Sequence, residues 1–227
     1  MKFTDLNKLR KYTAVCFAII IISFPALVFG GGSKETSSPR IVAGEGAFAF
    51  VTGEVKVNKK EAVIGEKVFS GDIIETGTDS YCEIIFSGRN VFRLMQNSSL
   101  EFGRQDFVLN QGSIALVTDK LKKIAFKGDA LSVRTSSAVA GVRGTVFFIN
   151  KENDNNTYVC ICSGEINTYT ADGEDKVKDE AEHHKAVRIT TDSSGNAIRT
   201  DAPLLYHDDA LMEAVASRIG LDIGWRY

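Results

Sequence analysis

A formal net charge of −2 and a pI near 6.0 leave this chain without the basic footprint that nucleic-acid binding requires. There is no nucleophile elbow, no HExxH helix and no supported Ser/His/Asp order, and the carboxylates are scattered through turns, which excludes the common hydrolase plans. Cys160-x-Cys162 has no third cysteine or histidine at ligand spacing, and His183 and His184 stand together without a second cluster. The Asp and Asn of Lys151–Asn156 miss the EF-hand spacing. The expectation is a non-enzyme with no catalytic residue, no cofactor and no metal. No helix-length 3.6-residue period interrupts the body of the chain, which argues against βαβ units.

What is present is an ordinary globular composition: 44% hydrophobic and 25% charged residues over 227 predict one domain with a sizeable core. Lys2, Lys8, Arg10 and Lys11 precede an uncharged run from Tyr12 to Phe29, interrupted by Pro25 and followed by small residues. Residues 1–32 therefore read as a secretory signal peptide, with Val28 and Gly30 ahead of the cut. The run is also about long enough to span a bilayer, so an uncleaved N-terminal membrane anchor is the rival reading. Under either, the body of the chain leaves the cytoplasm, and membrane contact is confined to this segment. A lipid anchor would need a cysteine where Gly31 and Gly32 stand, and Cys16 lies inside the run. Residues 33–40, SKETSSPR, read as a flexible linker.

From Ile41 onward short β-type runs alternate with turn clusters. Ala47–Val51 and Glu54–Val57 flank Thr52-Gly53; the Val63–Phe69 region ends at Ser70-Gly71-Asp72; Ile73–Thr76 precedes a Gly77–Ser80 turn. Tyr81–Phe86 and Val91–Met95 flank Ser87–Asn90, then Ser99–Phe102, Phe107–Leu109 and Ser113–Val117 follow, the last two divided by a Gln111-Gly112 turn. Leu131–Thr135, Thr145–Ile149, Tyr158–Cys162, Gly164–Tyr169 and Ala186–Thr190 complete the set. Lys151–Asn156 reads as a hairpin loop, Asp172–Glu182 as a charged loop, Asp192–Asn196 as a turn, and Thr118–Lys127 as a lysine-rich linker or edge strand. The fold class expected is all-β: one domain of many short strands, solenoid, sandwich or barrel-like, with an N-terminal signal or anchor helix and a short C-terminal helix. That last helix starts at Asp208-Asp209-Ala210 and runs through Ala216, with Leu211, Met212 and Val215 on one face and Gly220 as its stop.

The tightest stretch is Ser132–Asn150, where small residues, Gly141 and Gly144 join two β-type runs. Arg143 between those glycines must reach a carboxylate inside the fold or present its planar fork to a ligand, and Asp72 or Asp79 is the natural partner for the first role. Of the cysteines beyond the leader, Cys160 and Cys162 share one face of a strand. A disulfide between them would strain extended backbone, so a bridge to Cys82 is the better pairing if one forms, but the favoured reading is buried small apolar residues without a bridge.

Two groups of residues resemble one known family. Gly71-Asp72-Ile73-Ile74-Glu75-Thr76-Gly77 matches an opening motif, and Arg134-Thr135 followed by Ala138-Val139-Ala140-Gly141-Val142-Arg143-Gly144-Thr145 matches a closing motif of the FecR domain family, in order and at sensible separation. Ser163-Gly164-Glu165-Ile166 is similar to the strand that follows in that family, and the resemblance covers about residues 63–167. It implies an extracytoplasmic, β-rich, non-catalytic domain; the name-giving member relays a signal from an outer-membrane transporter across the inner membrane to a sigma factor. Only about a dozen residues precede the apolar run, so no cytoplasmic sigma-binding segment is expected here.

The domain plan expected is thus a leader (1–32), a linker (33–40), a FecR-like β-domain (41–201) and a tail with a short helix (202–227). The expected role is an exported binding or scaffold module in the periplasm or cell envelope; the alternative is a membrane-anchored sensor in transmembrane signalling. The partner expected is another envelope protein or a cell-wall component. Its contacts would fall on sheet edges and on Arg134, Thr135, Gly141, Arg143, Gly144 and Thr145, with the glycines structural.

Overall fold

The computed structural model describes residues 44–118, 131–142, 144–170 and 176–225. The leader, the linker, Arg143 and nearly all of the lysine-rich Thr118–Lys127 stretch lie outside the described residues. Those described form β1 Glu45–Thr52, β2 Val55–Val57, β3 Lys60–Glu61, β4 Lys67–Phe69, β5 Ile73–Thr76, β6 Tyr81–Phe86, β7 Asn90–Leu94, β8 Ser99–Glu101, β9 Asp106–Thr118, β10 Leu131–Arg134, β11 Ala138–Val142, β12 Val146–Lys151, β13 Asn156–Thr170, β14 Val177–Ala181, β15 Lys185–Thr191, β16 Ala197–Ala202 and α1 Asp209–Ser217.

Strands β9 and β13, of 13 and 15 residues, organise the rest because each belongs to two sheets. The first sheet runs β4-β1-β6-β7-β9-β12-β13-β15-β16, and the second β3-β2-β5-β8-β9-β10-β11-β13-β14. Near their middles β9 and β13 pass from one sheet to the other. The pairs β9–β10, β10–β11, β11–β13, β13–β12 and β12–β9 therefore close into a small five-stranded barrel.

Both crossings fall on glycine, where the sequence pattern predicts strand breaks. Gly112, expected in a turn, has φ +76° inside β9, just after a shift of register against β8 between Leu109 and Gln111; a Cβ there would stand 2.1 Å from Ser98 Oγ. Gly164, expected to start a separate strand, has φ +109° inside β13, where a Cβ would meet the Gly144 carbonyl oxygen at 3.1 Å. Glycine is the residue that permits this backbone and this approach, so it bends a strand as readily as it ends one.

Three further expectations are corrected. Ala138–Val142, read as a connector, is the wholly buried strand β11, its small side chains suited to the narrow barrel. Part of the charged loop is β14, which pairs with Gly164–Thr168 of β13. The C-terminal end of the β-region gains β16, paired along β15.

The main core lies between the sheets. Phe86, Phe92, Phe102 and Phe107 pack there with ring centroids 5.0–6.3 Å apart, continuous with Ile114, Phe147, Ile161 and Val187. A second apolar layer covers the outer face of the first sheet, where Val91, Ala115, Val117, Phe148, Tyr158, Cys160 and Cys162 meet Met212, Val215 and Ala216 of α1. Apolar side chains on both faces explain why β9, β12 and β13 read as continuous hydrophobic runs rather than alternating ones. Cys82 faces the inter-sheet core and Cys160 and Cys162 the outer layer, so the alternative of a Cys82 bridge has no path; all three are free and buried, as the favoured reading has it. Burial pushes the Cys82 thiol up to about 12.

Candidate functional site

The motif residues serve the fold. Asp72 accepts hydrogen bonds from Asn58 Nδ2 and the Phe69 amide, each at 2.7 Å, and Thr76 donates to the Met95 carbonyl at 2.5 Å. Asp79 sits in the turn at φ +52° with its amide donating to Gln96 Oε1. In the closing motif Thr135 accepts from the Ala138 amide at 3.1 Å and shares a buried 2.7 Å hydrogen bond with Thr157, which in turn meets Ser137 at 2.7 Å. The Thr145 amide donates to Thr118 Oγ1 at 2.7 Å, and its hydroxyl donates to the Glu165 carbonyl at 2.5 Å beside the Gly164 crossing. Thr135, Gly141 and Thr145 are buried; Gly144 has φ +64° beside them, and Arg134 is partly exposed, 3.5 Å from Asp106. A pairing of Arg143 with Asp72 or Asp79 lies outside the described residues.

The chemistry gathers on the outer face of the first sheet instead. Period-two alternation aims Cys160 and Cys162 of β13 outward with Tyr158, and the C-terminal segment folds over them. The buried Tyr158 hydroxyl holds that segment, donating to the Pro203 carbonyl at 3.3 Å and accepting from the Leu205 amide at 3.0 Å. Asp208 caps α1 by accepting from the Leu211 amide at 2.8 Å, which sets Asp209 in the first turn. His184, at φ +41° in the turn before β15, and His207, next to Tyr206 at φ +67°, complete the group.

Cys160 Sγ lies 3.5 Å from His184 Nδ1, Cys162 Sγ lies 3.3 Å from His207 Nε2, and the four donor atoms all fall within 4.8 Å of one another. The outer nitrogens are engaged: His184 Nε2 with Asp209 at 2.6 Å, His207 Nδ1 with the Leu205 carbonyl at 2.9 Å. Each imidazole thus has one nitrogen engaged outward and the other facing a sulfur. His183 Nε2 reaches the same Asp209 at 3.0 Å. Phe148 stacks on His207 at 4.4 Å and Trp225 on His184 at 5.3 Å, closing the sides.

The cluster holds one thiolate readily. The hydrogen bond from Cys162, then those from His184 and His207, draw Cys160 down to about 4 against its burial; burial and the neighbouring Cys160 charge push Cys162 well above its ordinary value. Burial opposes charge on His184, but its bonds to Cys160 and Asp209 outweigh that and raise its pKa. Two buried soft sulfurs and two half-buried imidazoles form a donor set suited to a metal cation. Sequence spacing missed it because Cys162, His184 and His207 come from three separate elements; the one legible signal was C-x-C on a strand.

Residues 72–167 match the family model described as FecR protein, the segment in which the motifs resemble that family. No curated protein matches the chain. Two crystal structures of a protein from Parabacteroides distasonis ATCC 8503, provisionally described as an anti-sigma factor, are similar at 12% and 13% identity with TM-scores of 0.42 and 0.41. Each comparison covers 57% of this chain and 59% of that one, so the chain spans less than two thirds of those proteins' length. Cys160 and Cys162 lie within the matched segment; His184, His207 and Asp209 lie beyond it.

Proposed function

We propose that this chain is an exported, non-catalytic FecR-domain protein that works by binding another envelope protein or a cell-wall component, as part of signalling-type regulation. The observation that carries this reading is the FecR match over residues 72–167. The leader pattern of residues 1–32 supports export. With Thr135, Gly141 and Thr145 enclosed, the contact surface moves to the sheet edges. β4 and β16 each pair on one side only among the described residues, and carry Phe69 and Ile198 about half exposed. Such edges accept an added strand, with the outward side chains giving selectivity.

The test is in-cell crosslinking of a C-terminally tagged copy, with mass spectrometry of the captured partners and of the bait's own N-terminus. The expected result is a stoichiometric envelope partner on a bait that starts near Gly31. A bait that keeps Met1 and captures a cytoplasmic regulator identifies the second reading, a membrane-anchored sensor, which the uncharged Tyr12–Phe29 run also supports.

A further inference from the structure

We propose that Cys160, Cys162, His184 and His207 bind one Zn²⁺ ion, and that this ion fastens the C-terminal segment to the outer face of the first sheet. The inference goes beyond the FecR reading and stands without it, since two of the four donors lie outside the matched segment.

The distances carry the proposal. A tetrahedral ion with Zn–S bonds of about 2.3 Å and Zn–N bonds of about 2.0–2.1 Å sets sulfur and nitrogen roughly 3.5 Å apart. The facing pairs stand at 3.5 Å and 3.3 Å, and no two of the four donor atoms are more than 4.8 Å apart. Two thiolates and two neutral imidazoles cancel the charge of a divalent ion, so the filled site suits its buried, aromatic-walled position, where an uncompensated charge would be costly. Sulfur and imidazole donors in this number select zinc over the oxygen-seeking Mg²⁺ and Ca²⁺.

The surroundings are arranged for ligation as well. Asp209 accepts from His184 Nε2 and the Leu205 carbonyl from His207 Nδ1, which fixes both tautomers with the coordinating nitrogen inward. The donors join three parts of the chain: β13, the turn before β15, and the stretch entering α1. A bound ion therefore ties residues 205–209 to β13 of the first sheet, beside the clasp that Tyr158 makes on Pro203 and Leu205.

The experiment titrates the full chain, reduced and freed of metal, with Co²⁺ as a spectroscopic stand-in for zinc. The expected result is one Co²⁺ per chain, with a thiolate-to-cobalt charge-transfer band and the strong visible absorption of a tetrahedral site, both bleached by one equivalent of Zn²⁺. Cys160→Ser and His207→Ala lose the charge-transfer signature or the tetrahedral geometry, and Cys82→Ser keeps both. Asp209→Asn binds about 10–100-fold more weakly. Far-ultraviolet dichroism of each metal-free variant shows whether the sheets are intact, and His207→Ala, altered outside the strands, keeps the test decisive if Cys160→Ser misfolds. A wild-type chain with no charge-transfer band, or a band that depends on Cys82 and survives His207→Ala, overturns the site. Hydrogen exchange of residues 203–225 unchanged by Zn²⁺ overturns the fastening.

Discussion

Cys162 and His207 face each other across 3.3 Å although 45 positions separate them in the chain. The contact joins β13 of the first sheet to the stretch that leads into α1, so the C-terminal segment is a wall of the β-domain rather than an appendage. The helix read from Asp208 to Ala216 acquires a specific place by this means.

Removing the chain from Pro203 onward uncovers Val117, Phe148, Tyr158, Cys160 and Cys162 together. A contiguous apolar face of that kind drives association. The truncated protein should bind a hydrophobic dye strongly and sediment as oligomers at concentrations where the full chain is dispersed. Equal dye binding by the two forms would show that the segment does not cover this face.

Glu83 is fully buried between two guanidinium groups: Arg93 Nε donates to it at 2.9 Å, and Arg218, just past α1, faces its other oxygen. Arg93 also lies over the Tyr81 ring and Arg218 over the Phe50 ring. Glu83→Ala leaves both cations without their carboxylate and should cost about 3 kcal/mol, the low end for a broken buried pair because Arg218 is partly exposed. Urea unfolding measures it, and a loss below about 0.5 kcal/mol, the size of a surface substitution, would contradict the pairing.

Gly164→Ala places a methyl group against the Gly144 carbonyl on a backbone at φ +109°. The expected destabilisation is about 1–3 kcal/mol, the range for forcing a residue with a Cβ into a disfavoured conformation. Gly195, at φ +85° with nothing within 4 Å, provides the comparison, since Gly195→Ala carries the conformational cost without the collision. Thermal unfolding should rank Gly164→Ala as the more damaging, and the reverse order would contradict the crossing.

How much of this was legible beforehand follows from what each signal measures. Ile73–Thr76 and Tyr81–Phe86 were readable to the residue because turn residues with positive φ bound them at Gly71, Asp79 and Ser87. Gly112 and Gly164 carry the same local signature, yet there the chain continues into a second sheet, and only pairing with distant strands decides between the outcomes. β11 escaped because Ala138–Val142 was chosen for fit inside a narrow barrel rather than for strand propensity. The closing motif was legible as a pattern but not as a role: Thr135 and Thr145 hold turns and crossings. The donor cluster was hidden because His184 and His207 reach Cys160 and Cys162 only through the folded sheet.

Arg188 donates through Nε and one terminal nitrogen to the two oxygens of Glu152, both at 2.7 Å, and Tyr206 adds a third hydrogen bond at 2.7 Å. The Arg188 hydrogen bond first, and that of Tyr206 with it, lower the Glu152 pKa against partial burial. A carboxyl whose folded pKa is depressed adds stability that is fully present above its unfolded value and is lost as pH falls through the folded one. Wild type should therefore exceed Glu152→Gln in urea midpoint near neutrality and converge with it in acid. A gap that stays constant with pH would show that the charge contributes nothing.

The most direct measurement fractionates the protein's own cells into cytoplasm and envelope, locates the chain, and applies elemental analysis and a count of reactive thiols under native conditions to the recovered protein, without added metal. The account predicts an envelope-located chain carrying one zinc ion, with Cys160 and Cys162 protected until a chelator is added. A zinc-free envelope chain with Cys160 and Cys162 oxidised to each other would contradict the metal site, and a chain confined to the cytoplasm would contradict the exported module.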